Sequence, residues 1–87
     1  MARYRIAIKR SAARELETVG QKRDRQQLVA RIESLAGNPR PPGCEKLAGY
    51  LDRYRVRQGD YRVVYSIDDT ERIVLIVKIG HRREVYR

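Results

Sequence analysis

The side chains of this sequence that are best suited to chemistry stand together at its carboxyl end. Residues 80–87 read Gly-His-Arg-Arg-Glu-Val-Tyr-Arg and follow directly on an apolar run that begins at Ile73. The run predicts a strand that brings the cluster to one edge of a small domain. Neighbouring arginines repel one another, so we expect an anion there, the alternative being a frayed basic tail. The candidate residues are His81, Arg82, Arg83 and Tyr86.

Positive charge extends along the whole chain. The sequence has 20 Lys and Arg residues against 11 Asp and Glu, which gives a net charge of +9. Such a surface suits a polyanion. No apolar run approaches the roughly 20 residues of a membrane-spanning helix, so nucleic acid is favoured over a membrane as the partner. The amino terminus has no secretory signal pattern, which predicts a cytoplasmic protein.

The chain offers few residues for cross-links or metal ligation. Cys44 is its only cysteine and His81 its only histidine. No internal disulfide and no Cys/His zinc cluster can therefore be assembled, and we predict neither a metal nor another cofactor. With 87 residues, the sequence predicts a single domain over residues 1–87.

A second set of basic residues lies on a predicted hairpin. Gly59 and Asp60 fit a two-residue turn whose first position requires positive φ, and this turn fixes the register of the flanking strands. The predicted pairs are Gln58 with Tyr61, Arg57 with Arg62, Val56 with Val63, Arg55 with Val64 and Tyr54 with Tyr65. Because the like-charge pair costs stability, an anion is expected across it. One face of the hairpin then carries Arg55, Arg57 and Arg62.

Two helices separate this hairpin from a first strand around Ile6. The first helix is predicted to be capped by Ser11 and to end at Glu17 or Thr18. The second is predicted to begin at Lys22 or Asp24 and to end at Ala36, with an apolar stripe of Leu28, Ile32 and Leu35 and with Arg31 among its outward residues. The segment from Lys46 to Leu51 is expected to be a loop or one helical turn, in which Leu47 and Leu51 close the edge of the core.

The order of elements is therefore β-α-α-β-β-β. It predicts an α+β domain in which a helical hairpin packs on one face of a largely antiparallel sheet of about four strands. The residues after Gly80 would reach the arginines of the hairpin if they bend over the sheet face opposite the helices.

These motifs together resemble the RelE/ParE toxin superfamily, and its RelE branch in particular. The likeness covers nearly the whole chain and rests on Gly-Asn-Pro-Arg-Pro at residues 37–41, Lys-Leu-Ala-Gly at residues 46–49, the hairpin, and the carboxyl-terminal Gly-His-Arg-Arg-Glu-Val-Tyr. It implies a toxin of a type II toxin-antitoxin system that cleaves mRNA in the ribosomal A site without a metal. It also implies a cognate antitoxin, with operator DNA bound only through the toxin-antitoxin complex.

The resemblance also implies site residues. Matched position by position, the family's functional residues fall on Arg55, Arg57, Arg62, Arg82 and Tyr86. The residues themselves add His81 to the catalytic candidates, and Lys46 and Arg83 to the RNA-binding ones. RNA cleavage requires proton transfer as well as charge stabilisation, and arginine exchanges protons poorly because its pKa lies above about 12. Some family members have lysines at the positions of Arg55 and Arg57, so the base is expected here to be Tyr86 or His81.

Two other functions fit the sequence. One is a ParE-like toxin that acts on DNA gyrase without cleaving nucleic acid, although a tyrosine among phosphate-binding arginines favours the nuclease. The other is a basic nucleic-acid-binding module without catalysis, whose affinity would come almost entirely from counterion release. In the simplest structural reading, the arginines are a solvated sheet face, Tyr86 folds back on the core and His81 is a turn residue.

Overall fold

The computed structural model describes residues 3–81. Two helices are inserted after the first of five strands. The elements are β1 Arg5–Ile8, α1 Arg10–Glu17, α2 Lys22–Ser34, β2 Glu45–Lys46, β3 Arg53–Gln58, β4 Tyr61–Asp68 and β5 Ile73–His81. Neither helix is long and apolar enough to cross a membrane.

The strands form one mixed sheet with the spatial order β1-β5-β4-β3-β2. β1 runs parallel to β5, and the other neighbouring strands are antiparallel. The helices pack on one face of the sheet and share its core, in which Leu28 and Leu35 meet Val63 and Tyr65. The predicted α+β class is confirmed. The sheet has five strands instead of about four, because a two-residue strand joins its edge.

That additional strand corrects the prediction for the segment around Lys46. Residues 47–51 form the predicted loop, but Lys46 belongs to a short strand in which Glu45 pairs with Arg55 and Lys46 pairs with Tyr54. Two residues are too few to show an alternating pattern, so the sequence carried no signal for this pairing. The prediction for Leu51 was also wrong, because its side chain is 93% exposed and does not close the core.

The helix boundaries differ slightly from those predicted. α1 begins at Arg10, so the N-cap position falls on Lys9, and Ser11 lies within the helix. No side chain caps either helix at its amino end. α2 ends at Ser34, two residues before the predicted end. Tertiary packing therefore stabilises these short helices, as is usual for helices of marginal length.

The hairpin of β3 and β4 has the predicted register at every pair, including Arg57 opposite Arg62. Gly59 supplies the positive φ that the turn requires, at 61°. Val56 and Val63 lie fully within the core, as the alternation predicted. The turn chemistry and the alternation agree, so the register is fixed by two independent features of the sequence.

The last strand, β5, contains an irregularity that could not be predicted from its continuous apolar sequence. Tyr65 pairs with Ile76, whereas Val64 pairs with Lys78, so Val77 is an extra residue in β5. Such a bulge shifts the alternation of the side chains by one position. The strand also continues through His81, two residues beyond the predicted end.

A carboxylate on α1 holds the end of β5 in place. Glu15 accepts hydrogen bonds of 2.9 Å from the Lys78 ammonium and from the backbone N–H of Ile79. β1 pairs with β5 only as far as Ile76, so this N–H lies beyond the reach of the neighbouring strand. Since an unsatisfied buried N–H is costly, Glu15 replaces a missing ladder bond and fixes α1 against the strand.

A polar cluster fastens the loop after α2 to the sheet. Arg40 makes a bidentate ion pair with Asp69, with N–O distances of 3.2 and 2.9 Å, and its Nε donates to the Tyr54 hydroxyl at 3.2 Å. The Tyr4 hydroxyl also donates to Asp69. These bonds to Arg40 and Tyr4 lower the pKa of Asp69 from 3.8 to about 2. The carboxylate is thus stabilised in its ionised form by the folded state.

We expect Asp69→Asn to reduce the free energy of unfolding in a pH-dependent way. Because folding lowers the pKa of Asp69, its stabilising contribution is fully present above its usual pKa of 3.8 and is lost as the pH falls through about 2. Urea unfolding at several pH values should show a gap between parent and variant that closes over this window. Asp60→Asn, in the exposed hairpin turn, is the control, and a gap that persists unchanged at pH 2 would contradict this role for Asp69.

Candidate functional site

Basic side chains from the sheet and from a helix line one cavity of about 430 Å³. We call it the arginine cavity, and its lining residues are Arg31, Gly43, Glu45, Arg57 and Arg62. Two of the three arginines were predicted as site residues, and the predicted hairpin register brings them together. The cavity is a concave, positively charged surface of the kind that binds an anion.

Arg62 is the most buried charged residue of the site. It is only 4% exposed, and its Nη1 donates to the carbonyl oxygen of Tyr61 at 3.3 Å. Its partner on β5 is Gly80, which adds no side chain to this face of the sheet. A charge this deeply buried is rare in proteins unless it serves an ion pair or a ligand. Arg57, directly opposite, is exposed at the surface.

Arg55 shares the face of Arg57 and Arg62 but has a carboxylate beside it. Its Nη2 lies 3.1 Å from Oε1 of Glu45, and the arginine side chain is 14% exposed. The ion pair follows from the pairing of β2 with β3, which sets these two residues opposite each other. Glu45 was not among the predicted site residues. Among the described residues, it is the one acidic residue that lines the arginine cavity.

Lys46 and His81 lie elsewhere. Lys46 pairs with Tyr54, so alternation places it on the other face from Glu45, and it does not line the arginine cavity. His81 pairs with Tyr61, and their rings meet edge to face at 5.7 Å between centroids. The register sets His81 on the face of Tyr61 and not on that of Arg62. The structure therefore brings neither residue into the cavity, because Lys46 lies on the opposite face from Glu45 and His81 on the opposite face from Arg62.

Sequence reasoning missed one arginine. Arg31 was expected to face outward from α2, but it is half-buried and lines the arginine cavity. Its spacing held a signal, since Leu28, Arg31 and Leu35 follow one another at the three- and four-residue intervals of a single helix face. A long arginine stem can lie along apolar surface while its charged end reaches beyond it.

The remaining candidates lie outside the described residues. These are Arg82, Arg83 and Tyr86. Within residues 3–81, no group of three or more His, Cys, Asp or Glu side chains is placed to hold a metal ion.

A groove of about 480 Å³ between the helices is larger than the arginine cavity. It contains none of the predicted site residues, and the surface it exposes is mostly apolar. Its lining residues are Leu16, Glu17, Lys22, Arg25, Gln26, Val29, Ala30 and Glu33. Size alone does not identify a site, and the convergence of buried charge points to the arginine cavity instead.

Comparison with known proteins places the chain in a family. The sequence profile described as ParE toxin of type II toxin-antitoxin system, parDE, matches residues 6–86. The chain belongs to the RelE/ParE toxin superfamily. It is 34% identical over 84 residues to Toxin RelE of Mycobacterium tuberculosis, and the match covers 97% of this chain and 87% of that toxin.

Solved structures of RelE toxins show the same fold as this superfamily member. The toxin-antitoxin complex RelBE2 from Mycobacterium tuberculosis superimposes with a TM-score of 0.81 at 25% identity, covering 93% of this chain and all of the matched one. The archaeal RelE-RelB complex from Pyrococcus horikoshii OT3 gives a TM-score of 0.80 at 30% identity, with 91% and 94% covered. The resemblance predicted from the sequence motifs is confirmed.

Proposed function

We propose that this toxin is a ribosome-dependent endoribonuclease that cleaves mRNA in the A site without a metal and is neutralised by a cognate antitoxin. The observation that carries the proposal is the buried guanidinium of Arg62, set opposite Arg57 in a cavity. A pair of like charges is unfavourable in the free protein and favourable around a phosphate. RNA is the polyanion that places a phosphate next to a reactive hydroxyl.

The chemistry needs three contributions. The 2′-hydroxyl of the RNA loses its proton and attacks the adjacent phosphorus, and the bond to the 5′-oxygen breaks. That oxygen takes up a proton, so the products carry a 2′,3′-cyclic phosphate and a 5′-hydroxyl. Arg57 and Arg62 stabilise the negative charge that grows on the phosphoryl oxygens. Tyr86 accepts the first proton in this proposal, with His81 as the other candidate, and Arg82 assists at the phosphate.

The neighbouring basic residues position the RNA relative to the arginine cavity. Arg55 contacts a flanking phosphate, while Glu45 fixes its guanidinium. Lys46, which lies outside the arginine cavity, and Arg83 are also proposed to contact RNA. Arginine suits such contacts because its planar, permanently charged group can donate two hydrogen bonds to one phosphate.

The cognate antitoxin is expected to act on the same surface. RelB accompanies RelE in the solved complexes from Mycobacterium tuberculosis and Pyrococcus horikoshii. We propose that the antitoxin of this chain covers Arg57 and Arg62 or displaces the carboxyl-terminal residues, since an acidic partner relieves the repulsion between the two arginines. Operator DNA would be bound only by the complex. The toxin is proposed to work in the cytoplasm, where ribosomes and mRNA are found.

A second function stays in consideration because the matching family profile is that of ParE toxins. In this alternative, the same fold inhibits DNA gyrase and cleaves no RNA. A two-arm assay separates the two functions, with mRNA cleavage on programmed ribosomes in one arm and supercoiling by DNA gyrase in the other. We expect cleavage and unimpaired supercoiling. Inhibited supercoiling with intact mRNA would replace the proposed function by the alternative.

The RNA affinity of Arg57→Ala should depend less on salt than that of the parent. Arg57 is exposed and has no ion-pair partner within residues 3–81, so it is free to neutralise a phosphate and release a counterion. The slope of log affinity against log salt should fall by about one unit. Fluorescence anisotropy with a short labelled RNA measures this slope. Arg5→Ala, on the distant strand β1, is the control, and an unchanged slope for Arg57→Ala would remove Arg57 from the RNA contacts.

A further inference from the structure

The arginine cavity contains a cationic group that the superfamily resemblance did not assign. Arg31 comes from α2, whereas the other two arginines of the cavity come from the hairpin. Its Nε is buried from solvent and has no hydrogen-bond partner among residues 3–81. Buried guanidinium nitrogens are normally hydrogen-bonded, so a donor left unmatched at the wall of a cavity indicates a missing acceptor.

The charge of Arg31 is likewise unmatched within the described part of the chain. The ion pairs found there join Arg40 to Asp69, Arg55 to Glu45 and Lys78 to Glu15, and none involves Arg31. Glu45, the acidic residue that lines the cavity in the described part of the chain, is already bound to Arg55. Arg31 thus adds positive charge to a cavity in which the carboxylate found among residues 3–81 is already paired with Arg55.

The positive charge of Arg31 also acts on the Tyr65 hydroxyl in the core. Burial raises the pKa of the Tyr65 hydroxyl, and Cys44 raises it further, whereas the positive charges of Arg31 and Arg40 act in the opposite direction. Tyr65 shares the core face of β4 with Val63, whereas Arg62 lies on the other face. Arg31 is half-buried, and it reaches the site as part of the cavity lining that also includes Arg57 and Arg62.

We infer that Arg31 is a phosphate ligand, and that it completes with Arg57 and Arg62 a three-arginine site for one phosphate group. A phosphate offers several acceptor lone pairs to charged donors from different directions, and guanidinium groups bind it through charge-assisted hydrogen bonds. The inference rests on the proposed function in taking an RNA phosphate as the ligand. It adds a helix residue to a site otherwise built on the sheet. Because the negative charge on the phosphoryl group grows during attack by the 2′-oxygen, Arg31 serves the transition state as well as binding.

The first test uses inorganic phosphate and the full chain without ribosomes. Heteronuclear NMR follows the Nε–H signals of the arginines, with the Arg31 signal assigned by its loss in Arg31→Lys. Phosphate should shift the Arg31 signal and slow its exchange with water. Arg31→Gln should weaken phosphate binding about tenfold or more, as expected for loss of a charge-assisted hydrogen bond. Arg31→Lys, which keeps the charge, should lose less.

The matched control is Arg23→Gln, which removes one charge from an exposed position on the same helix and lies outside the cavity. It should bind phosphate like the parent. If phosphate shifted the Arg57 and Arg62 signals but left that of Arg31 unchanged, or if both glutamine variants lost equal affinity, Arg31 would be no ligand. Thermal unfolding of each variant shows whether a loss of binding reflects a loss of folded protein.

The outcome is separable from that of the proposed function. Phosphate binding through Arg31 in a protein that leaves mRNA intact on ribosomes would overturn the proposed function and keep the phosphate site. Cleavage of mRNA at the parent rate by Arg31→Gln would overturn the role of Arg31 in the transition state. Cleavage that falls together with phosphate affinity in Arg31→Gln, but not in Arg23→Gln, would support both.

Discussion

Arg62→Gln should lower the single-turnover rate of mRNA cleavage on programmed ribosomes by about two to three orders of magnitude. That is the loss typical of removing one preorganised donor from a site where negative charge develops. Arg62 is 4% exposed and opposite Gly80, so its guanidinium is held in place before the RNA arrives. Glutamine keeps much of the side-chain volume and removes the charge.

Two measurements separate lost chemistry from lost folding. Removing a buried charge can change stability in either direction, so urea unfolding of Arg62→Gln accompanies the kinetics. Arg5→Gln, an exposed arginine of β1, removes the same charge far from the cavity and should cleave at the parent rate. A folded Arg62→Gln variant with the parent cleavage rate would show that this arginine is not part of the site.

Tyr86→Phe should reduce the cleavage rate by roughly a hundredfold or more, as expected for loss of a general acid-base group. The substitution keeps the ring and removes only the hydroxyl. A tyrosine hydroxyl loses its proton near pH 10 when unperturbed, and neighbouring arginines favour the ionised form. The proposal therefore assigns the base to Tyr86, which lies outside the described residues.

His81→Ala is the comparison that distinguishes the two candidate bases. His81 stands beside Tyr61 on the face of the sheet away from Arg62, so its removal should cost less than that of the Tyr86 hydroxyl. The test is the pH dependence of single-turnover cleavage, with ribosome binding measured separately. If Tyr86→Phe cleaved at the parent rate while His81→Ala was inactive, the two roles would have to be exchanged.

The hairpin shows how far the sequence could predict the site. Gly59 requires a particular turn, the turn fixes the register, and the register sets Arg57 opposite Arg62. All three steps are local along the chain, so they could be inferred without the fold. The alternation of Val56 and Val63 with these arginines gave the same answer independently.

The features that the sequence did not predict depend on contacts between distant segments. β2 is too short for alternation, and its pairing with β3 brings Glu45 to Arg55 only after the loop that follows α2 has folded back. The bulge at Val77 could not be predicted, because a continuous apolar run shows no alternation of polar and apolar residues that a bulge would interrupt. The sequence spacing of Arg31 places it on the buried stripe of α2. An arginine in a helix is normally assigned to the polar surface, and the cavity that Arg31 lines is seen only in the folded structure.

The central claim, ribosome-dependent cleavage by this toxin, is tested most directly by the chemistry and position of the new RNA ends. Programmed ribosomes with a defined codon in the A site are incubated with the purified toxin, and the mRNA fragments are mapped. The proposal predicts fragments ending within the A-site codon with a 2′,3′-cyclic phosphate and a 5′-hydroxyl, formed equally well with a chelator present and absent without ribosomes. Intact mRNA on ribosomes that bind the toxin would contradict it.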